Sequence, residues 1–165
     1  ERKLLINMQK TKIFLPEEPF EYLGYEIQNK TLRIAKRNCN KMKQKIRLKL
    51  NKKLTQNIQR KKIDEKQLLF ETIRLLFPGD KMPDHVMWLR YFLLTNDIQQ
   101  LKKIDDFIEN RVRLVFFGKK RTKHLSMLPL KLMRLYNYVS LSKIYFDISN
   151  GRKAFSDYVR FFVQK

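Results

Sequence analysis

The sequence predicts an α+β fold that is mainly α, with a short antiparallel β-hairpin region followed by a bundle of about five to six helices. Three observations carry this expectation. Aromatic or aliphatic residues alternate with charged ones only near the start of the chain, whereas from Ala35 onward apolar positions recur every three or four residues. Four glycines and five prolines in 165 residues are too few for a turn-rich β protein. That length fits one average domain or slightly more.

Residues 3–15 hold two short apolar runs around a polar Asn7–Lys12 centre, closed by Pro16, Glu17 and Glu18. They predict a turn leading into a strand over Thr11–Leu15. Phe20–Ile27 alternates except at Leu23-Gly24, which predicts a strand with a tight turn or bulge at Gly24. A third strand, Leu32–Ala35, is expected to pair back across Asn29-Lys30. Ala35, Cys39, Met42, Ile46, Leu50 and Leu54 then form one narrow apolar stripe, the signature of a helix about 20 residues long. Asp64, with Gln67 in the capping-box position, is expected to open a second helix that runs to about Phe77 and stops at Pro78-Gly79. Asp84 should cap a short third helix containing Trp88, Tyr91 and Phe92. Asp97 should cap a long fourth, with Ile98, Leu101, Ile104, Ile108, Val112 and Val115 inward and its end at Gly118. Leu130–Ile148 and Lys153–Val163 read as the last two helices, separated by Asn150-Gly151.

Charge narrows the function. The formal net charge is +21, from 37 basic and 16 acidic residues. Between Glu26 and Asp64 there are 14 Lys or Arg and no acid, which leaves +7 for the remainder. A run of one sign repels itself and calls for a polyanionic partner. Lys36, Arg37, Lys41, Lys43, Lys45, Arg47, Lys49, Lys52 and Lys53 all lie off the apolar stripe and are candidate phosphate contacts. Lys119, Lys120, Arg121 and Lys123 form a second, smaller basic cluster beside His124. A membrane surface is a poor partner, because the stripe lacks the Trp and Phe of an interfacial helix. No apolar run approaches the roughly 18 to 20 residues of a membrane span. The single cysteine, Cys39, excludes an intramolecular disulfide and an all-cysteine zinc site. Without a signal-peptide pattern, the cytoplasm is the expected compartment. The chain begins at Glu1 within an apolar-basic pattern, and is expected to be part of a longer protein.

Catalytic groups are few. His85 reads as a first-turn helix residue and His124 as part of a basic loop. Asp105-Asp106 is an adjacent carboxylate pair placed mid-helix, where neighbours point about 100° apart, so Asp105 reads as surface or core-edge structure. There is no Gly-rich phosphate-cradling loop and no metal-ligand set.

Two segments taken together resemble a known family. Asn7-Met8-Gln9-Lys10-Thr11, followed by Tyr22-Leu23-Gly24-Tyr25, resembles the end of the palm in reverse transcriptases of the bacterial group II intron-like lineage. In that family an Asn-x-x-Lys-Thr segment precedes a Phe-Leu-Gly-Tyr/Phe strand pair and a helical thumb; here Tyr22 stands for the Phe. Trp88-Leu89-Arg90-Tyr91-Phe92 and the stretch from Ile104-Asp105 to Arg111-Val112-Arg113 resemble the thumb that follows. The resemblance implies a palm edge over 1–35 and a nucleic-acid-binding thumb over 36–165. It further implies that Lys10 approaches the triphosphate and donates a proton to the leaving pyrophosphate. Tyr22, Leu23, Gly24 and Tyr25 would form a primer grip, with Gly24 admitting the primer backbone and the tyrosines stacking on the strand or lying in the core. The thumb helix would hold the duplex by phosphates, without reading sequence.

The implied partners are RNA, an RNA–DNA or DNA duplex, the remaining fingers and palm, and among possible templates a dedicated non-coding RNA. Magnesium belongs to the full enzyme: the family's Asp pair is expected before Glu1, and this segment alone supplies no cofactor site. With one cysteine the intron-type zinc endonuclease tail is not expected, which favours a free-standing anti-phage or retron-like enzyme. The alternatives are a non-catalytic, maturase-like module that clamps structured RNA and a chromosomal or ribosome-associated basic protein. Reversing Lys43, Arg47 and Lys49 to Glu is expected to abolish binding without unfolding, since all three lie off the stripe.

Overall fold

The computed structural model describes residues 11–15, 17–59, 65–78, 80–117, 130–135 and 137–163, with the backbone alone described at 52–59, 65–66 and 130. Three short strands, β1 (Phe20–Tyr22), β2 (Tyr25–Gln28) and β3 (Thr31–Ile34), form an antiparallel sheet in the order β1-β2-β3. Seven helices follow among the described residues: α1 (Lys36–Gln59), α2 (Glu65–Leu76), α3 (Asp84–Arg90), α4 (Ile98–Phe117), α5 (Leu130–Leu135), α6 (Leu141–Ser149) and α7 (Phe155–Val163). The α+β, mainly α expectation holds. None of these helices is long and apolar enough to cross a membrane.

Two-residue loops set the sheet register. Tyr22 pairs with Tyr25 around Leu23-Gly24, and both loop residues have positive φ, 47° and 87°, as a type I′ hairpin requires. Gln28 pairs with Thr31 around Asn29-Lys30, with positive φ at Asn29. Thr11–Leu15 forms no strand, contrary to expectation. Leu15 instead closes a turn, accepting from the Glu18 N–H and donating its own N–H to the Glu18 carboxylate. Phe14 stacks on Phe20 with ring centres 5.0 Å apart.

The outer edge of β3 is closed by side chains. Asn96 accepts the Leu32 N–H and donates to the Lys30 carbonyl, at 2.8 and 2.7 Å. Gln100 accepts the Ile34 N–H and donates to the Ile34 carbonyl, at 2.8 and 2.7 Å. Two amides thus replace a fourth strand and fix the sheet to the start of α4, leaving no bare edge there.

The helices pack as their periodicity dictates. Ala35, Cys39, Met42, Ile46 and Leu50 are buried, as are Leu101, Ile104, Ile108, Val112 and Val115 of α4. The sheet joins the same core through Tyr25 and Ile34. α1 and α4 form the main helix pair. Lys43 lies over the Phe107 ring and Arg47 is close enough to repel Arg111, so the two helices run side by side in the same direction.

Helix ends differ from expectation in four places. α3 is capped by Pro83, and Asp84 makes no capping bond; its carboxylate pairs with Lys49 instead. Tyr91 and Phe92 fall beyond the last residue of α3. The single helix expected over Leu130–Ile148 is two, because Asn137 takes φ 66°. There the Tyr138 N–H bonds the Met133 carbonyl and the Asn137 N–H bonds the Arg134 carbonyl, the Schellman pattern that ends a helix. α7 begins at Phe155 because Asp157 reaches back to the Ala154 N–H at 2.8 Å. Asp97 does cap α4, accepting the Gln100 N–H at 3.3 Å, as expected. Asn150-Gly151 also ends its helix as expected, with Gly151 at φ 66° and the Arg152 N–H bonded to the Asp147 carbonyl. Asp64 lies outside the described residues.

Candidate nucleic-acid interface

α1 is 24 residues long, or about 36 Å at the usual rise. Its buried stripe covers one side and leaves the rest of the cylinder to cations. Lys36, Arg37, Lys41, Lys45, Arg47 and Lys49 are exposed, and Lys43 is half-buried. Two of these cations are engaged at home. Arg37 pairs with Glu21 of β1 at 2.9 Å, and Lys49 with Asp84 at 2.6 Å. Lys49 holds the Asp84 carboxyl below its usual range, chiefly through that hydrogen bond. Lys36, Lys41, Lys45 and Arg47 have no ion-pair partner among the described residues, and Lys43 is held 5.7 Å from the centre of the Phe107 ring. Lys52 and Lys53 continue the same helix. Their side chains lie outside the described set, as do Lys10, Lys119, Lys120, Arg121 and Lys123.

The hairpin tip divides its four expected residues between two roles. Tyr22 and Leu23 project outward, 62% and 79% exposed. Leu23 does so from a left-handed backbone that a leucine seldom adopts. Tyr25 does not stack outward: it is 7% exposed, edge-on to Phe92, and its hydroxyl donates to the Tyr91 carbonyl at 2.9 Å. It is a core aromatic, and stacking on a primer would require pulling it from the core. Gly24 is needed for the turn and for a close approach within the protein. A Cβ there would stand 2.7 Å from Asn38 Nδ2 and 3.3 Å from the Phe92 ring. The segments Tyr22–Tyr25 and Trp88–Phe92, far apart in sequence, therefore pack against each other.

α4 contributes cations that periodicity alone did not single out. A cleft of about 480 Å³ opens between β3, α1 and the start of α4. Lys36, Asn40 and Lys43 line one wall and Lys103 the other. Glu26 and the Arg33–Asp97 pair, 3.1 Å apart, complete its rim. Further along the same seam lie Phe107 and Arg111, the latter 5.7 Å from the centre of the Phe107 ring. Burial, and then the nearby Arg47, lowers the pKa of Arg111. Lys103 and Arg111 sit in a mixed-charge helix and carry no sequence signal until α4 is placed beside α1.

The groups considered for catalysis are structural. Asp105 is 4% exposed and accepts the N–H groups of Leu141 and Ser142 at 2.7 and 2.9 Å, capping α6 from another helix. Burial raises its pKa against the pull of those bonds. Asp106 is exposed, so the pair splits as helix geometry requires. His85 is 3% exposed, edge-on to Phe77, and more deeply buried than a first-turn position suggests. Among the described residues, no group of three or more His, Cys, Asp or Glu side chains could hold a metal ion. Compared with protein-family models, with curated proteins and with solved structures, the chain matches none of them.

Proposed function

We propose that this chain is the palm edge and thumb of an RNA-directed DNA polymerase, in which α1 holds a template–primer duplex by its phosphates and the Tyr22–Leu23 tip meets the primer strand. The observation that carries it is the exposed arc of α1, where Lys36, Lys41, Lys45 and Arg47 stand without ion-pair partners among the described residues, next to a projecting hairpin. Ammonium and guanidinium groups spread along a rigid rod suit a regular array of phosphates and read no base. The tip supports the same reading. An exposed tyrosine and leucine on a turn that would be more relaxed with Asn or Gly suggest that contact is favoured over local stability. The packing of Tyr22–Tyr25 against Trp88–Phe92 joins two of the segments on which the family resemblance rests. On this reading the duplex belongs to a full enzyme whose other parts carry the chemistry.

The test is charge reversal on the free arc. Lys49 and Lys43 are unsuited to it, because Lys49→Glu would oppose Asp84 and Lys43 is held over Phe107. Lys41, Lys45 and Arg47 are exposed and make no ion pair among the described residues, Lys45 acting on Asp84 only at longer range, so K41E/K45E/R47E should keep its helical signal and melting temperature. Its affinity for an RNA–DNA hybrid should fall on the order of a hundred-fold or more. Unchanged affinity in a folded variant would refute the α1 grip. Stronger retention of a structured RNA than of the hybrid would favour the non-catalytic RNA clamp.

A further inference from the structure

Sequence periodicity assigns the grip to α1 alone; the packing adds a second helix. The geometry points to a phosphate-binding seat in the cleft between α1 and α4, formed by Lys36 and Lys43 on one wall and Lys103 on the other. This inference rests on the proposed duplex grip and extends it to two parallel rails.

Three lysines line this cleft, and Glu26 is the acid among its lining residues left to face them, since Arg33 and Asp97 satisfy each other at 3.1 Å. Such a gathering of like charge costs free energy unless an anion sits within it. The volume, about 480 Å³, falls in the range that takes small ligands. Asn40 supplies an amide in the same wall, whereas the Gln100 amide is used on both sides by Ile34. Lys43 lies over Phe107, and a side chain already placed there loses less entropy when it binds an anion. Further along the seam, Arg47 and Arg111 face each other across it. Arg111 lies about 12 Å along the helix from Lys103, roughly two steps between neighbouring phosphates of one strand. A single backbone strand laid along the seam would meet both pairs.

The experiment uses the full chain and compares Lys103→Ala with Lys102→Ala. Both are exposed lysines of α4 and remove equal charge, but they point about 100° apart, and Lys102 does not line the cleft. Binding of an RNA–DNA hybrid is titrated over a range of salt, and the thermal shift with inorganic phosphate alone is recorded in parallel. Lys103→Ala should reduce the logarithmic salt slope by about one, and Lys102→Ala should leave it unchanged. A smaller phosphate-induced thermal shift in Lys103→Ala, with an unchanged slope, would also support the seat but assign it to free phosphate. Identical behaviour of the two variants in both assays would overturn the proposal. If K41E/K45E/R47E then still abolished hybrid binding, the α1 grip would stand and the cleft alone would fail.

Discussion

His85 shows how one residue can depart from its sequence context. Position alone makes it a first-turn helix residue, yet Phe77 packs edge-on at 4.8 Å and its Nε2 has no hydrogen-bond partner among the described residues. Burial, with Lys49 adding to it and Asp84 opposing, pulls its pKa down to about 3. The folded state therefore binds a proton less readily than the unfolded chain, whose histidine titrates near 6.5. Stability from this residue is complete above about pH 6.5 and declines as the pH falls toward 3, at roughly 1.4 kcal/mol per pH unit. Between pH 6.5 and 5 the loss should be about 2 kcal/mol. Urea midpoints at the two pH values measure it, and His85→Leu should flatten the difference. An equal decline in wild type and variant would place the sensitivity elsewhere. Gly24 was legible, because a glycine between alternating aromatics signals a turn. The burial of Tyr25 was not, since its partners Tyr91 and Phe92 lie in a distant segment.

Elements were legible where one stripe or one cap determines them and obscure where another element does. The stripe of α1 appears as expected because its period is set locally. β3 is different: its outer edge is satisfied by Asn96 and Gln100, two amides that read as ordinary residues around a helix start. α6 is likewise opened by Asp105 of α4, while its own Ser140 makes no side-chain capping bond. The amide clamp allows a graded prediction. Gln100→Ala would leave the N–H of fully buried Ile34 without its partner and its carbonyl with the weak Cys39 thiol contact, and should cost about 2 to 4 kcal/mol at roughly 1 to 3 per orphaned group. Asn96→Ala, whose partners Lys30 and Leu32 lie nearer water, should cost about 1 kcal/mol. Denaturant titration of both variants checks the order. A larger loss in Asn96→Ala would show that the sheet is held mainly at its outer turn.

Across the whole molecule, the acids and bases divide the work unequally. Asp97, Asp105 and Asp157 cap helices. Glu109 is tied to Arg113 and Tyr138, and Asp147 is buried against Lys143 and Tyr158. These carboxylates serve the fold, and all 16 acids together still leave a net charge of +21. The cations of α1 and of the α1–α4 seam repel one another, so the folded chain should be less stable alone than with a polyanion bound. At a hybrid concentration about a hundred times its dissociation constant, mass action should add roughly 2.7 kcal/mol. For a chain of this size that corresponds to a rise in melting temperature of roughly 5 to 10 °C. The same hybrid should raise the melting temperature of K41E/K45E/R47E far less, although that variant still carries a large positive charge. Equal rises in the two proteins would mean that bulk charge, and not the arrangement of cations on α1, holds the nucleic acid.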